Sequence, residues 1–126
     1  GVRDTEKPED VLIERLGIKN FEVAEVKEKG GETVAKETLQ LLQGCDMLYV
    51  SFDVDSMDCD LISYETGTPV QKGLDEEEAY TILHYFLSLK KTACIEFVEI
   101  NPLLDNKGNK MAETAFGILK RLVKDL

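Results

Sequence analysis

The run Met47-Leu48-Tyr49-Val50-Ser51-Phe52 constrains the fold more than any other segment. It is nearly continuous in apolar residues and only strand-long, the pattern of a strand covered on both faces, as in a parallel sheet. A second β-rich run, Ala93 to Ile100, carries Cys94, Ile95, Phe97, Val98 and Ile100. Helical patterns separate and flank these runs. Pro8 to Leu16 predicts a helix with proline in its first turn, Val11, Leu12, Leu16 and Ile13 facing inward, and Gly17 just past its end. Phe21 to Val26 alternates and predicts a short strand. Glu32 to Gln43 predicts a helix with a stripe of Val34, Ala35, Thr38, Leu41 and Leu42, closed by Gly44. Asp75 opens a further helix, with Glu78 three residues on in a capping-box arrangement and Ala79, Ile82, Leu83, Phe86, Leu87 and Leu89 inward. The acids Glu76-Glu77-Glu78 suit a helix N-terminus. Lys110 to Lys124 predicts a last helix with Met111, Ala115, Phe116, Leu119, Leu122 and Val123 on one face.

The order helix–strand–helix–strand–loop–helix–strand–helix predicts an α/β protein with a parallel sheet and helices on its faces. In such sheets ligands sit beyond the carboxyl ends of the strands, here after Phe52 and around Ile100. Residues 53–74 show no clear periodicity, and structured loops of that length tend to be functional. The whole chain, 126 residues, reads as one continuous unit.

Composition narrows the function. The chain has 15 Lys+Arg against 25 Asp+Glu, a net charge of −10. That argues against nucleic acid, whose phosphates need a basic face, and against an anionic membrane surface. There is no apolar run of 18 residues, and Gly1-Val2-Arg3-Asp4-Thr5-Glu6 lacks the features of a signal peptide. Cys45, Cys59 and Cys94 are odd in number and widely spaced, which fits reduced thiols in a cytoplasmic protein rather than a disulfide framework or a zinc site. The chain starts with Gly1 rather than Met, as expected of a processed chain, a tag remnant or a fragment.

The chemistry-bearing residues follow the strands. Asp53-Val54-Asp55, with Asp58 and Asp60 close behind, places two carboxylates on one side of an extended backbone. Converging carboxylates repel unless a cation or a proton joins them, and hard cations such as Mn²⁺ and Mg²⁺ prefer oxygen ligands. The alternative is a solvated acidic turn. The EF-hand loop pattern is missing. Glu99 lies between Val98 and Ile100 on a run that reads as buried, so it needs a cation, a basic side chain or a cationic ligand as partner.

Ser51-Phe52-Asp53-Val54-Asp55, then Thr66-Gly67-Thr68-Pro69-Val70 and Gly73-Leu74, then Val98-Glu99-Ile100-Asn101-Pro102, resembles the C-terminal half of the arginase/agmatinase/formimidoylglutamase family, the ureohydrolases. Gly1-Val2-Arg3-Asp4 is similar to the family's Gly-Leu-Arg-Asp segment, and Glu-(Val/Ile)-Asn-Pro leans towards arginase. The resemblance implies a three-layer α/β/α fold and two Mn²⁺ ions. It implies attack of a hydroxide on a guanidinium carbon with release of urea, and a homo-oligomer, trimer or hexamer. It assigns Asp53 and Asp55 to the metals, and Glu99 and Thr68 to the guanidinium of a small-molecule substrate.

There are departures. The family's Asp-Gly-(Leu/Met)-Asp-Pro turn reads Asp55-Ser56-Met57-Asp58-Cys59, the loop before Gly67 is one residue longer than the common arginase pattern, and Glu65 precedes Thr66. The family's other metal ligands, one His and an Asp/His/Asp set, lie in an N-terminal half, and this chain has a single His, His84, placed mid-helix. The chain is therefore expected to be the C-terminal portion of one ureohydrolase domain, holding two of six ligand residues and inactive alone. An agmatinase or formimidoylglutamase, and a non-catalytic interaction domain of the same fold, stand as alternatives.

Overall fold

A computed structural model describes residues 1–124. Their elements are α1 (Lys7–Leu16), α2 (Val23–Lys29), α3 (Gly31–Leu41), β1 (Leu48–Asp53), a 3-10 turn (Val54–Ser56), α4 (Glu76–Leu87), β2 (Thr92–Val98) and α5 (Lys110–Lys124). Among the described residues β1 and β2 form one parallel sheet, with Val50 opposite Ile95, Phe52 opposite Phe97 and Asp53 opposite Val98. Parallel neighbours need a crossover, and α4 supplies it.

α4 lies centrally, packed against α3 on one side and α5 on the other. Phe52, Val54, Met57 and Ile62 meet Ala79 and Leu83 of α4 and Met111, Ala115, Ile118 and Leu122 of α5 in the main core. The Phe52 and Phe97 rings meet edge to face, with centroids 5.2 Å apart. α4 starts as its capping box dictates: Glu78 N donates to Asp75 Oδ1 at 2.8 Å and Asp75 N to Glu78 Oε2 at 2.9 Å. Arg121 of α5 donates to both carboxylate oxygens of Glu77 and lies 3.8 Å from the centre of the Tyr80 ring, fastening the two helices. His84 stacks on Tyr80 in mid-helix, far in sequence from the strand ends.

The parallel α/β arrangement is as expected, with local differences, among them Leu41 of the α3 stripe, which is exposed rather than inward. Residues 21–26 are not a strand: extended structure stops at Glu22, whose bridge to Val2 brings Val23 N to Val2 O at 3.0 Å. α2 begins at the next residue, because Val23 and Val26 are one helical turn apart and reach the core together. The helix α1 forms from local signals, with Glu6 N bonded to Glu9 Oε2 and Gly17 left-handed at φ 63°, yet no residue of it is buried, and Val11, Leu12 and Leu16 face solvent. β1 is covered on one face only. Its other face, Tyr49 and Ser51 beside Cys94 of β2, is open, and Ser51 Oγ donates there to Glu96 Oε1 at 2.8 Å. On α5 the buried face is Met111, Thr114, Ala115, Ile118 and Leu122, leaving Phe116, Leu119 and Val123 outside.

Candidate functional site at the carboxyl ends of the strands

The loop after β1 is tightly built. Asp53 caps the 3-10 turn, its Oδ1 accepting from Asp55 N at 2.8 Å, while Ser56 Oγ donates to Asp53 O at 2.7 Å. The far end of the loop returns to the same place: Asp58 N donates to Leu74 O at 2.8 Å and Leu74 N to Ser56 O at 2.9 Å. Gly73 permits this approach, since a Cβ there would sit 2.4 Å from the Met57 carbonyl carbon. Val54 and Met57 are buried at the foot of the turn, so Asp53 and Asp55 are presented outward from an anchored base.

Arg3 closes the arrangement from the N-terminal side. Its guanidinium donates to five backbone carbonyls: Gly1 and Ser56 from Nη1, Met57 at 3.1 Å and Val70 from Nη2, and Gln71 at 3.0 Å from Nε. One side chain thus ties the N-terminal segment, the turn after β1 and the end of the long loop together. The rigid fork of arginine suits this, where an ammonium could satisfy only part of it.

Asp53, Asp55, Arg3 and Thr68 line one cleft of about 500 Å³. Asp55 is its unusual member. Its Oδ1 is buried and has no hydrogen-bond partner. Burial raises its pKa above the usual aspartate value, the charge of Asp53 adds to this, and Glu99 contributes in the same direction. Thr66 and Arg3 act the other way. The Thr66 hydroxyl is near enough to relieve the carboxyl somewhat, but its Oγ1 is itself buried and out of hydrogen-bond geometry, so Oδ1 stays unsatisfied.

Glu99 differs from its expected setting. β2 ends at Val98, and Glu99 is exposed rather than buried in the strand. Its backbone is left-handed, φ 64°, which a residue with a Cβ adopts at a cost of roughly 1–2 kcal/mol. That turn carries the chain out of the sheet with Glu99 close enough for its charge to act on Asp55. The structure thus brings Asp53, Asp55 and Thr68 to one cleft and Glu99 to its electrostatic neighbourhood. Among the described residues no group of three or more His, Cys, Asp or Glu side chains is placed to hold a metal ion. Sequence reasoning missed Arg3 as a clamp and Thr66 as the neighbour of Asp55. An arginine at position 3 gives no signal of four carbonyl partners more than 50 positions away in sequence.

An α/β unit with acidic side chains gathered at the ends of parallel strands is the class this geometry defines. The chain belongs to the Arginase family, whose profile matches residues 1–124. It is 32% identical over 123 residues to arginase of Bacillus subtilis, covering 98% of this chain and 41% of that protein, and 33% identical over 116 residues to arginase-1 of Bos taurus, covering 90% and 36%. The crystal structure of arginase from Bacillus subtilis superposes with a TM-score of 0.87 at 32% identity over 97% of this chain and 43% of that one. A formimidoylglutamase from Bacillus subtilis shares the fold, with a TM-score of 0.85 at 22% identity over 94% of this chain and 37% of that one. The chain spans about 40% of the length of the relatives it matches.

Proposed function

We propose that this chain is the C-terminal portion of a single ureohydrolase domain and that the whole protein is a manganese-dependent enzyme converting L-arginine to ornithine and urea. The observation that carries the reading is the pair of carboxylates, Asp53 and Asp55, that line one cleft at the end of β1 and act on each other as like charges. A divalent cation satisfies both, and an all-oxygen donor pair suits Mn²⁺. The residues present fit as part of a metal site: Asp53 and Asp55 are two ligands, and the others come from sequence outside these 126 residues. When bound, paired divalent ions supply a nucleophilic water at neutral pH.

The chain's own residues do the rest. Asp53 and Asp55 hold the ions, fixed by the 3-10 turn and the Arg3 clamp. Glu99 accepts hydrogen bonds from the planar guanidinium, and Thr68 lines the pocket that receives it. The small-molecule substrate, a cytoplasmic location and a trimeric or hexameric assembly belong to the same reading. The net charge of −10 supports an enzyme of small cationic substrates over a nucleic-acid or membrane binder.

The test is metal analysis beside urea-release kinetics on the whole protein, with arginine, agmatine and formimidoylglutamate. Asp53→Ala and Asp55→Ala lower manganese content and turnover together. Glu99→Gln keeps the metal and loses about 2–4 kcal/mol of transition-state stabilisation, roughly 30- to 1,000-fold in rate. Near-normal turnover of Glu99→Gln on all three substrates removes Glu99 from the site. A wild-type preference for agmatine or formimidoylglutamate moves the assignment to that enzyme.

A further inference from the structure

Glu65 is 0% exposed, and neither of its carboxyl oxygens has a hydrogen-bond partner. It belongs to the long loop, immediately before Thr66, whose buried hydroxyl neighbours Asp55, and three residues before Thr68. Because the burial comes from this chain's own atoms, nothing docking from outside can reach the carboxyl to neutralise it. The compensation must be internal.

The internal candidate is Asp105, in the turn before α5. Its carboxylate is already a hub: Oδ1 accepts from Ser63 Oγ and from Lys107 N at 2.7 Å, and Oδ2 accepts from Met111 N at 3.0 Å. Burial works against the charge on Asp105, but those donors outweigh it and hold its carboxyl below the ordinary aspartate value. Glu65 has no comparable donors. The N–H groups of Asn101 and Ala112 approach it without reaching hydrogen-bond geometry, and Asp105 is the charged group facing it. Burial first and then Asp105 push the Glu65 carboxyl above its ordinary value of 4.5. A buried carboxyl without donors beside a half-buried one held by backbone N–H and hydroxyl donors divides a single proton in one direction: Asp105 is charged and Glu65 is neutral. A neutral carboxyl has an O–H, which is the donor that the pair otherwise lacks.

We propose that Glu65 is a positioning residue that works in its protonated form, donating a hydrogen bond to the Asp105 carboxylate and thereby pinning the Thr66–Thr68 loop to the turn that follows Glu99. The pin supplements two links at the same place, Ser63 Oγ to Asp105 and Tyr64 N to Asn106 Oδ1 at 3.1 Å. Together they fix the loop that carries Thr66 and Thr68 against the segment that leaves β2. The inference concerns the packing of this chain, and it stands whether or not the enzymatic reading does.

The sign of the pH dependence follows from the protonation. The folded protein binds one more proton at Glu65 than the unfolded chain once pH exceeds the ordinary glutamate value. The stabilisation is full below that value and is lost as pH rises through the folded value, where a buried negative charge on Glu65 comes to face the Asp105 carboxylate.

The experiment uses the whole protein, wild type, Glu65→Gln and Glu65→Met, with thermal unfolding across the neutral and alkaline range and ¹³C NMR of the labelled glutamate carboxyls. The Glu65 signal, assigned as the one absent from Glu65→Gln, titrates above the other glutamates. Infrared spectra of the wild type, taken above the titration of the other glutamates and below that of Glu65, show a protonated-carboxyl C=O band that Glu65→Gln lacks. Glutamine, a neutral donor at every pH, keeps the wild-type Tm at the acid end and removes the alkaline decline, whereas methionine, which fills the space but donates nothing, is less stable at every pH. A Glu65 signal titrating with the exposed glutamates overturns the proposal. So does a Gln variant that follows the wild-type pH profile, or a Met variant as stable as Gln.

Discussion

Replacing Asp55 by Asn separates what this residue costs the fold from what it provides to a ligand. Oδ1 of Asp55 is buried without a partner, and Asp53 and Glu99 add like charge around it. An unsatisfied buried acceptor costs about 1–3 kcal/mol, and more when charged. Asparagine has nearly the same shape and no charge, so it relieves both repulsions and part of the desolvation, although solvent around the exposed Asp53 and Glu99 screens much of the repulsion. A net gain of about 1 kcal/mol in the metal-free protein is the expected sum. The carboxyl pKa is raised in the folded state, so the folded protein holds more protons than the unfolded chain above the ordinary aspartate value of 3.8. The wild type therefore loses stability relative to Asp55→Asn as pH rises through the folded value, and the variant's advantage is larger at about pH 8 than at about pH 5. Urea unfolding of chelator-treated protein at those two pH values measures it. Added Mn²⁺ reverses the order, because a ligand of the folded state at a hundred-fold excess over its Kd stabilises by about 2.7 kcal/mol, and the variant forfeits that. An Asp55→Asn protein less stable than wild type without metal at the higher pH refutes the reasoning, for it would mean that the carboxylate has a favourable partner in the fold.

Two further substitutions test the frame that presents the acids. Arg3→Met removes five donor contacts, of which two are exposed and count for little. The three part-buried ones, at about 1 kcal/mol each, give a loss of roughly 3 kcal/mol, read as a lower urea midpoint at unchanged slope, with Arg3→Lys recovering only part of it. Gly73→Ala drives a methyl group to 2.4 Å from the Met57 carbonyl carbon and 2.6 Å from Asp58 N, backbone atoms that cannot swing aside, so it costs about 1–3 kcal/mol and shows as faster amide exchange at Asp58 and Leu74.

What was legible in the sequence divides along a physical line. Elements whose signals are local and redundant read correctly: α4 has a capping box, an apolar stripe and a polar face that all agree, and β1 is an apolar run too short for a helix. The segment 21–26 did not, because Val23 and Val26 fit a helical turn as well as Phe21 and Val23 fit a strand, and six residues cannot separate the two periods. Faces were less legible than elements. The apolar residues Val11, Leu12 and Leu16 of α1 and Tyr49 of β1 were expected inside, and they lie open in this chain although their elements form as expected. Periodicity reports that a face is apolar and leaves unsaid what covers it. The acids at the strand ends were legible because the carboxyl end of a parallel strand is a known place to look. Their environment was not: Glu99 acts on Asp55 from 44 positions away in sequence, and Asp105 faces Glu65 from 40. The same long-range contacts explain why the acids persist as an arrangement. Arg3 and Gly73 hold the turn from both sides, so the repulsion between Asp53 and Asp55 is carried by the frame rather than relaxed by loop movement, and both residues are left lining the cleft.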